Sequence, residues 1–147
     1  MERANSILIR FICLFLLLFS FSCISDKPTS KEIVGTWYSE DNGSFTFYND
    51  STFEVESVTK QILPFPEKFQ FSSFKGKGLW NLHEQYGRWK LEISFKKGED
   101  LPYGMGTNLF IQGEGILGNS RPWLLVYYIG DPDDNVQIKY SQLSKKE

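Results

Sequence analysis

An all-β fold is predicted here: a meander of about eight to nine short antiparallel strands closed into a barrel, with a β-sandwich as the alternative. Three observations predict it. Apolar side chains recur with period two, most cleanly where Trp89, Leu91, Ile93 and Phe95 alternate with Lys90, Glu92, Ser94 and Lys96, the pattern of a strand with one buried face. Clusters of Gly, Pro, Asn and Asp break the chain at close intervals, as turns between short strands require. No segment sustains a helical period, and short strands with frequent turns form barrels or sandwiches.

The chain has 147 residues and opens on an export-type segment. Arg3 and Arg10 supply positive charge, Phe11 to Phe19 is an almost unbroken apolar run, and Ser20, Phe21 and Ser22 lead to Cys23. A spanning helix needs about 20 apolar residues, whereas polar residues resume here at Ser25 and Asp26. The segment is therefore read as a signal over residues 1–22. The stretch Ser20-Phe21-Ser22-Cys23 resembles the lipobox of bacterial lipoproteins, with Ser22 as the small residue before the cysteine and Ser20 departing from the usual aliphatic residue. The resemblance implies cleavage before Cys23 and diacylation of its sulfur, and hence a bacterial cell-envelope protein held at a membrane by its lipid.

The 125 residues from Cys23 onward are the size of one domain. The net charge of −2 becomes about −3 once Arg3, Arg10 and Glu2 leave with the signal, and the lysines are scattered among acids. No basic patch is available to a nucleic acid backbone. Cys13 and Cys23 are the only cysteines, so the exported domain has no disulfide and must be held by its core. Aromatic residues make up 16% of the chain. At roughly 150 to 250 Å² removed from water per buried ring, they supply that core.

Residues 23–32 form a polar tether, in which Thr29 or Ser30 caps a single helical turn ending at Ile33. The barrel domain covers 33–147. Ile33 to Tyr38 opens it, with Gly35-x-Trp37 on the first strand. Phe45 and Phe47, then Phe53 and Val55, alternate with polar residues around Asn49-Asp50-Ser51, which predicts a hairpin. Leu63-Pro64-Phe65-Pro66-Glu67 cannot donate ladder bonds at either proline and is a loop or an edge. A strand from Lys68 to Phe74 follows, and Gly76 and Gly78 mark a turn or bulge before Leu79 to His83. Gln85-Tyr86-Gly87 then turns the chain into the strand from Arg88 to Lys96, whose Trp89 is expected in the core.

Lys97 to Thr107 reads as a long loop, and a strand around Leu109 to Gln112 precedes a bend at Gly113, Gly115 and Gly118. The last strands are Trp123 to Ile129, apolar on both faces, and Val136 to Leu143. Apolarity on both faces points to cover on both sides or to a partner.

Gly35-x-Trp37, followed by Gly43, the Phe45-x-Phe47 pair and Asp50-Ser51-Thr52-Phe53, resembles the start of small lipocalin-like lipoproteins of bacteria. The resemblance implies that Trp37 closes the floor of a barrel whose interior takes a small apolar ligand. It also implies a basic partner for Trp37 from a late strand, either Arg121 or Lys139.

Catalytic patterns are sparse. His83 is the lone histidine, and its neighbour Glu84 points to the opposite face of a strand. Glu54 and Glu56 share a face, but it is the solvated one. Asp131-x-Asp133-x-Asn135 has the opening spacing of a calcium loop, yet Val136 and Gln142 stand where Gly and Glu are needed, so a plain turn without metal is expected. The reading is a non-enzymatic binder of a small apolar ligand, with no catalytic residue and no cofactor. The alternative is a protein-interaction module, such as an inhibitor, immunity or assembly factor, presenting Trp123, Tyr127 and Tyr128.

Overall fold

The fold is described from a computed structural model, over residues 26–66, 71–114, 120–134 and 136–142. The signal, Cys23, residues 24–25 and 67–70, Gly115, Gly118, Asn135 and Leu143 lie outside the described residues. Thr29 opens a single helical turn, α1 (Ser30–Ile33). Its backbone N–H and hydroxyl both donate to the Glu32 carboxylate, at 2.8 and 2.7 Å, and so close the turn from its acidic third position.

Eight strands follow in sequence: β1 (Gly35–Ser39), β2 (Ser44–Phe47), β3 (Thr52–Thr59), β4 (Ser73–Gln85), β5 (Arg88–Phe95), β6 (Met105–Gly113), β7 (Trp123–Tyr128) and β8 (Gln137–Gln142). Each pairs antiparallel with the next, and β1 pairs with β8 through Trp37↔Gln142 and Ser39↔Tyr140. The barrel is closed, so the sandwich alternative is set aside; closure leaves no sheet edge along the paired rows. The glycine of Gly35-x-Trp37 has a physical reason. Its φ is +129°, and a Cβ there would stand 2.8 Å from Nε2 of Gln142, whose amide donates to the Val34 carbonyl.

Alternation places the rings inside. Phe45, Phe47, Phe53, Val55, Leu91, Ile93, Phe95, Leu109, Leu125 and Tyr140 are all buried. Contacts run from Tyr140 to Phe45 (5.1 Å), Phe45 to Phe53 (6.0 Å), Phe53 to Phe95 (4.9 Å), Phe95 to Phe74 (5.4 Å) and Phe74 to Phe65 (5.5 Å), mostly edge to face. The lumen is filled by side chains. At one end Ile33 and Trp37 form the floor, with the indole N–H donating to the Ile33 carbonyl at 2.8 Å. At the other, Ile62, Leu63 and Leu101 are buried beneath the β3–β4 and β5–β6 loops. Burial pushes the Tyr140 hydroxyl well above the usual tyrosine range.

Several expectations are corrected. Gly76 and Gly78 mark no turn: β4 runs unbroken through both. They are glycines because neighbours crowd them, and a Cβ on Gly78 would lie 1.9 Å from the Ser94 carbonyl oxygen. The bulge sits instead on β3 opposite, where the register shifts between Val55 and Val58 and Ser57 takes φ +53°. Of the strand expected over Lys68 to Phe74, the described part begins at Ser73 in β4, and Phe71 before it packs on Phe65 at 4.9 Å. β6 begins at Met105, earlier than expected, because Met105 to Asn108 pair with β5 from Phe95 to Glu92. In the β2–β3 turn the positive φ falls on Ser51, and Asp50 accepts from the Thr52 amide and hydroxyl. On β5, Leu91, Ile93 and Phe95 are buried as expected, but Trp89 is only half-buried at the rim.

Candidate functional site

The rim position of Trp89 leads to a concavity in the barrel wall. β5 and β6 are paired from Phe95↔Met105 as far as Lys90↔Phe110, and Trp89 and Arg88 have no partner on β6. β6 continues alone with β7, through Ile111↔Leu125 to Gly113↔Trp123. The two strands diverge at the floor end and leave a cleft of about 560 Å³. Trp89, Ile111 and Trp123 reach it from inward positions, and Phe110, Gln112 and Tyr128 from outward ones. Asp26, Lys27 and Pro28 of the tether form a further wall, with Glu84 and Arg88 at the hairpin side.

Each wall is held in place. Phe110 and Tyr128 meet edge to face at 5.6 Å, and the Gln112 amide hydrogen-bonds the Tyr128 hydroxyl. They flank Val126, which is wholly buried although it is on the outer face. That accounts for the apolarity of β7 on both faces. The tether is fixed by Arg121, whose guanidinium pairs with Asp26 at 3.1 Å and with Glu32, and lies 6.0 Å from the centre of the Trp123 ring. The Trp123 indole donates to the same Glu32 at 3.3 Å. Arg121 therefore joins the β6–β7 loop to the incoming chain.

Neither proposed basic partner meets Trp37. Its indole N–H is satisfied by Ile33, Arg121 is engaged with Asp26 and Glu32, and Lys139 is exposed on β8, on the outer side. The capping pattern Thr29-x-x-Glu32 was the available signal for an organised carboxylate here. The Arg121 guanidinium, aided by hydrogen bonds from Thr29 and Trp123, holds the Glu32 carboxyl at about 2, against the opposing effect of burial. Its contribution to stability is whole above the ordinary value of 4.5 and is lost as pH falls toward about 2. Urea midpoints should drop across that interval, and Glu32→Gln should flatten the drop. An unchanged pH profile in Glu32→Gln would remove this role.

The remaining candidates are dispersed. His83 is half-buried and pairs in register with Lys90, on the face opposite Glu84 and Trp89. Glu54 accepts from the Tyr48 hydroxyl at 3.1 Å and Glu56 pairs with Lys75 at 3.5 Å, both on the exposed face. Asp131 accepts from the Asp133 amide at 3.0 Å, and Pro132–Asp134 forms a 3-10 turn. Among the described residues no three His, Cys, Asp or Glu side chains gather in a group able to hold a metal ion. The proposed interaction face is rearranged: Trp123 and Tyr127 pack on the core and Tyr128 lines the cleft.

Fold and site together define a closed, filled antiparallel eight-stranded barrel with a lateral aromatic cleft beside its N-terminal tether. No family model, curated protein or solved structure matches this chain.

Proposed function

We propose that this chain is a non-enzymatic, lipid-anchored binding protein of the bacterial cell envelope, which holds a small apolar ligand in the cleft between β5 and β6. The observation that carries the reading is the cleft itself. Its roughly 560 Å³ lies within the range of about 300 to 1,000 Å³ typical of small-molecule sites, and Trp89, Trp123, Phe110 and Ile111 offer apolar contact on several sides. The buried side-chain cluster inside the barrel supports reading the site in its wall and not along its axis. Anchoring through Cys23 would put the lipid three residues before Asp26, the first tether residue at the cleft.

Titrating the purified full chain with a polyene fatty acid that accepts energy from tryptophan tests this reading. Trp89→Ala should weaken binding by about tenfold, equivalent to about 1.4 kcal/mol, while Tyr103→Ala, in the loop at the opposite end, should leave it unchanged. Equal affinities in the two variants would overturn the cleft as the binding site.

A further inference from the structure

The β4–β5 hairpin stands clear of the strands on either side. β3 follows β4 only to Thr52↔Leu79, with further bonds from the Trp80 amide to the Ser51 carbonyl and from its indole to the Tyr48 carbonyl at 3.2 Å, and β6 follows β5 only to Lys90. At its apex Tyr86 is 94% exposed with φ +52°, followed by Gly87 at φ +74°. Two successive positive φ values make a turn in which Asn-Gly is the favoured pair. A large aromatic side chain there is conformationally costly, and the fold gives it nothing to pack against. Its use must lie outside the barrel.

Topology places that apex at the same end as the tether. β4 ends and β5 starts where β1 starts, and Asp26 is fixed at that end by Arg121. From Asp26 to Cys23 is three residues, a reach of at most about 10 to 11 Å. Charge is divided along the barrel in the same sense. Among the described residues, the far-end loops carry seven acids, including Glu99, Asp100, Asp131 and Asp133, against three lysines. The tether-end segments carry four acids against three bases and are close to neutral. An anionic surface would repel the far end and accept the near one.

We infer that the floor of the barrel rests on the phospholipid bilayer, with Tyr86 at the hairpin apex seated among the headgroups, where tyrosine partitions well. Arg88 and Lys27, which make no ion pair among the described residues, face the anionic lipid beside it. In this orientation the β5–β6 cleft opens toward the membrane, so that an apolar ligand passes between bilayer and protein without crossing water. The inference rests on the lipid-anchored reading above.

The lipidated full chain is reconstituted into phosphatidylethanolamine and phosphatidylglycerol vesicles with brominated acyl chains, as Tyr86→Trp and separately as Tyr103→Trp. Both positions are exposed, at 94% and 48%, so neither change disturbs the core. The emission added by Tyr86→Trp should be blue-shifted and quenched several-fold more than that added by Tyr103→Trp. Equal quenching in protein that sediments with the vesicles overturns the orientation alone. Failure of the chain to sediment with vesicles removes the anchored reading and this inference together.

Discussion

Phe53→Ala is expected to destabilise the barrel by about 3 to 5 kcal/mol, a large share of the roughly 5 to 15 kcal/mol that holds a domain together. Phe53 is wholly buried and touches Phe45, Phe47 and Phe95 at 6.0, 6.1 and 4.9 Å. These neighbours sit on strands tied into a closed barrel, so the walls have little freedom to collapse into the space left behind. Gly78 adds a second reason. Phe53 fills the place beside it, where a Cβ would come within 2.9 Å of the Phe53 ring. Trp89→Ala, at the half-buried rim, should cost much less than Phe53→Ala although it removes a larger side chain. Urea denaturation at neutral pH compares them directly. Equal midpoints would mean that the filled lumen does not carry the stability assigned to it.

Cys23→Ser is expected to move the protein almost entirely from the membrane to the soluble fraction while leaving it folded. Once the signal is removed, the lipid on Cys23 is the proposed attachment, and none of the described residues belongs to a helix long and apolar enough to cross a membrane. Two acyl chains give stable anchoring where one gives only reversible binding, so loss of the modified sulfur removes the hold as a whole. Asp26 and the network around Arg121 lie downstream and should be untouched. Fractionation followed by a carbonate wash, with circular dichroism of the released protein, provides the check. Retention of the variant in washed membranes would contradict lipid attachment at Cys23.

Much of the barrel was legible because its strands are amphipathic. Ser44 to Val55 and Arg88 to Phe95 alternate so regularly that only one face of each can be buried. The helical turn ending at Ile33 was legible from Thr29 and Ser30 as its candidate caps, of which Thr29 is the one used. The course of β4 was not, because a glycine in a sequence marks a turn and a close approach equally well. What decides at Gly78 is the carbonyl of Ser94, sixteen positions along the chain. The start of β6 was missed for a related reason: Gly106, Thr107 and Asn108 give little strand signal themselves and are ordered by pairing with β5. The cleft was the least visible feature. It depends on where the β5–β6 register ends, a property of two strands together, and it turns Trp89 from a core residue into a wall. Its other wall, the Arg121 pairing with Asp26 and Glu32, joins residues almost a hundred positions apart.

The central claim is that an apolar ligand is held in the wall of the barrel at the β5–β6 divergence and not along its axis. Photolabelling of the membrane-anchored protein with a diazirine fatty acid, followed by peptide mapping in a mass spectrometer, tests it most directly. The expected labels fall on the segments Glu84 to Trp89 and Phe110 to Gly113, and unlabelled fatty acid in excess should remove them. Competable labelling centred on Trp37, Phe45 and Phe53, with the cleft segments unmarked, would contradict the claim and place the ligand in the lumen.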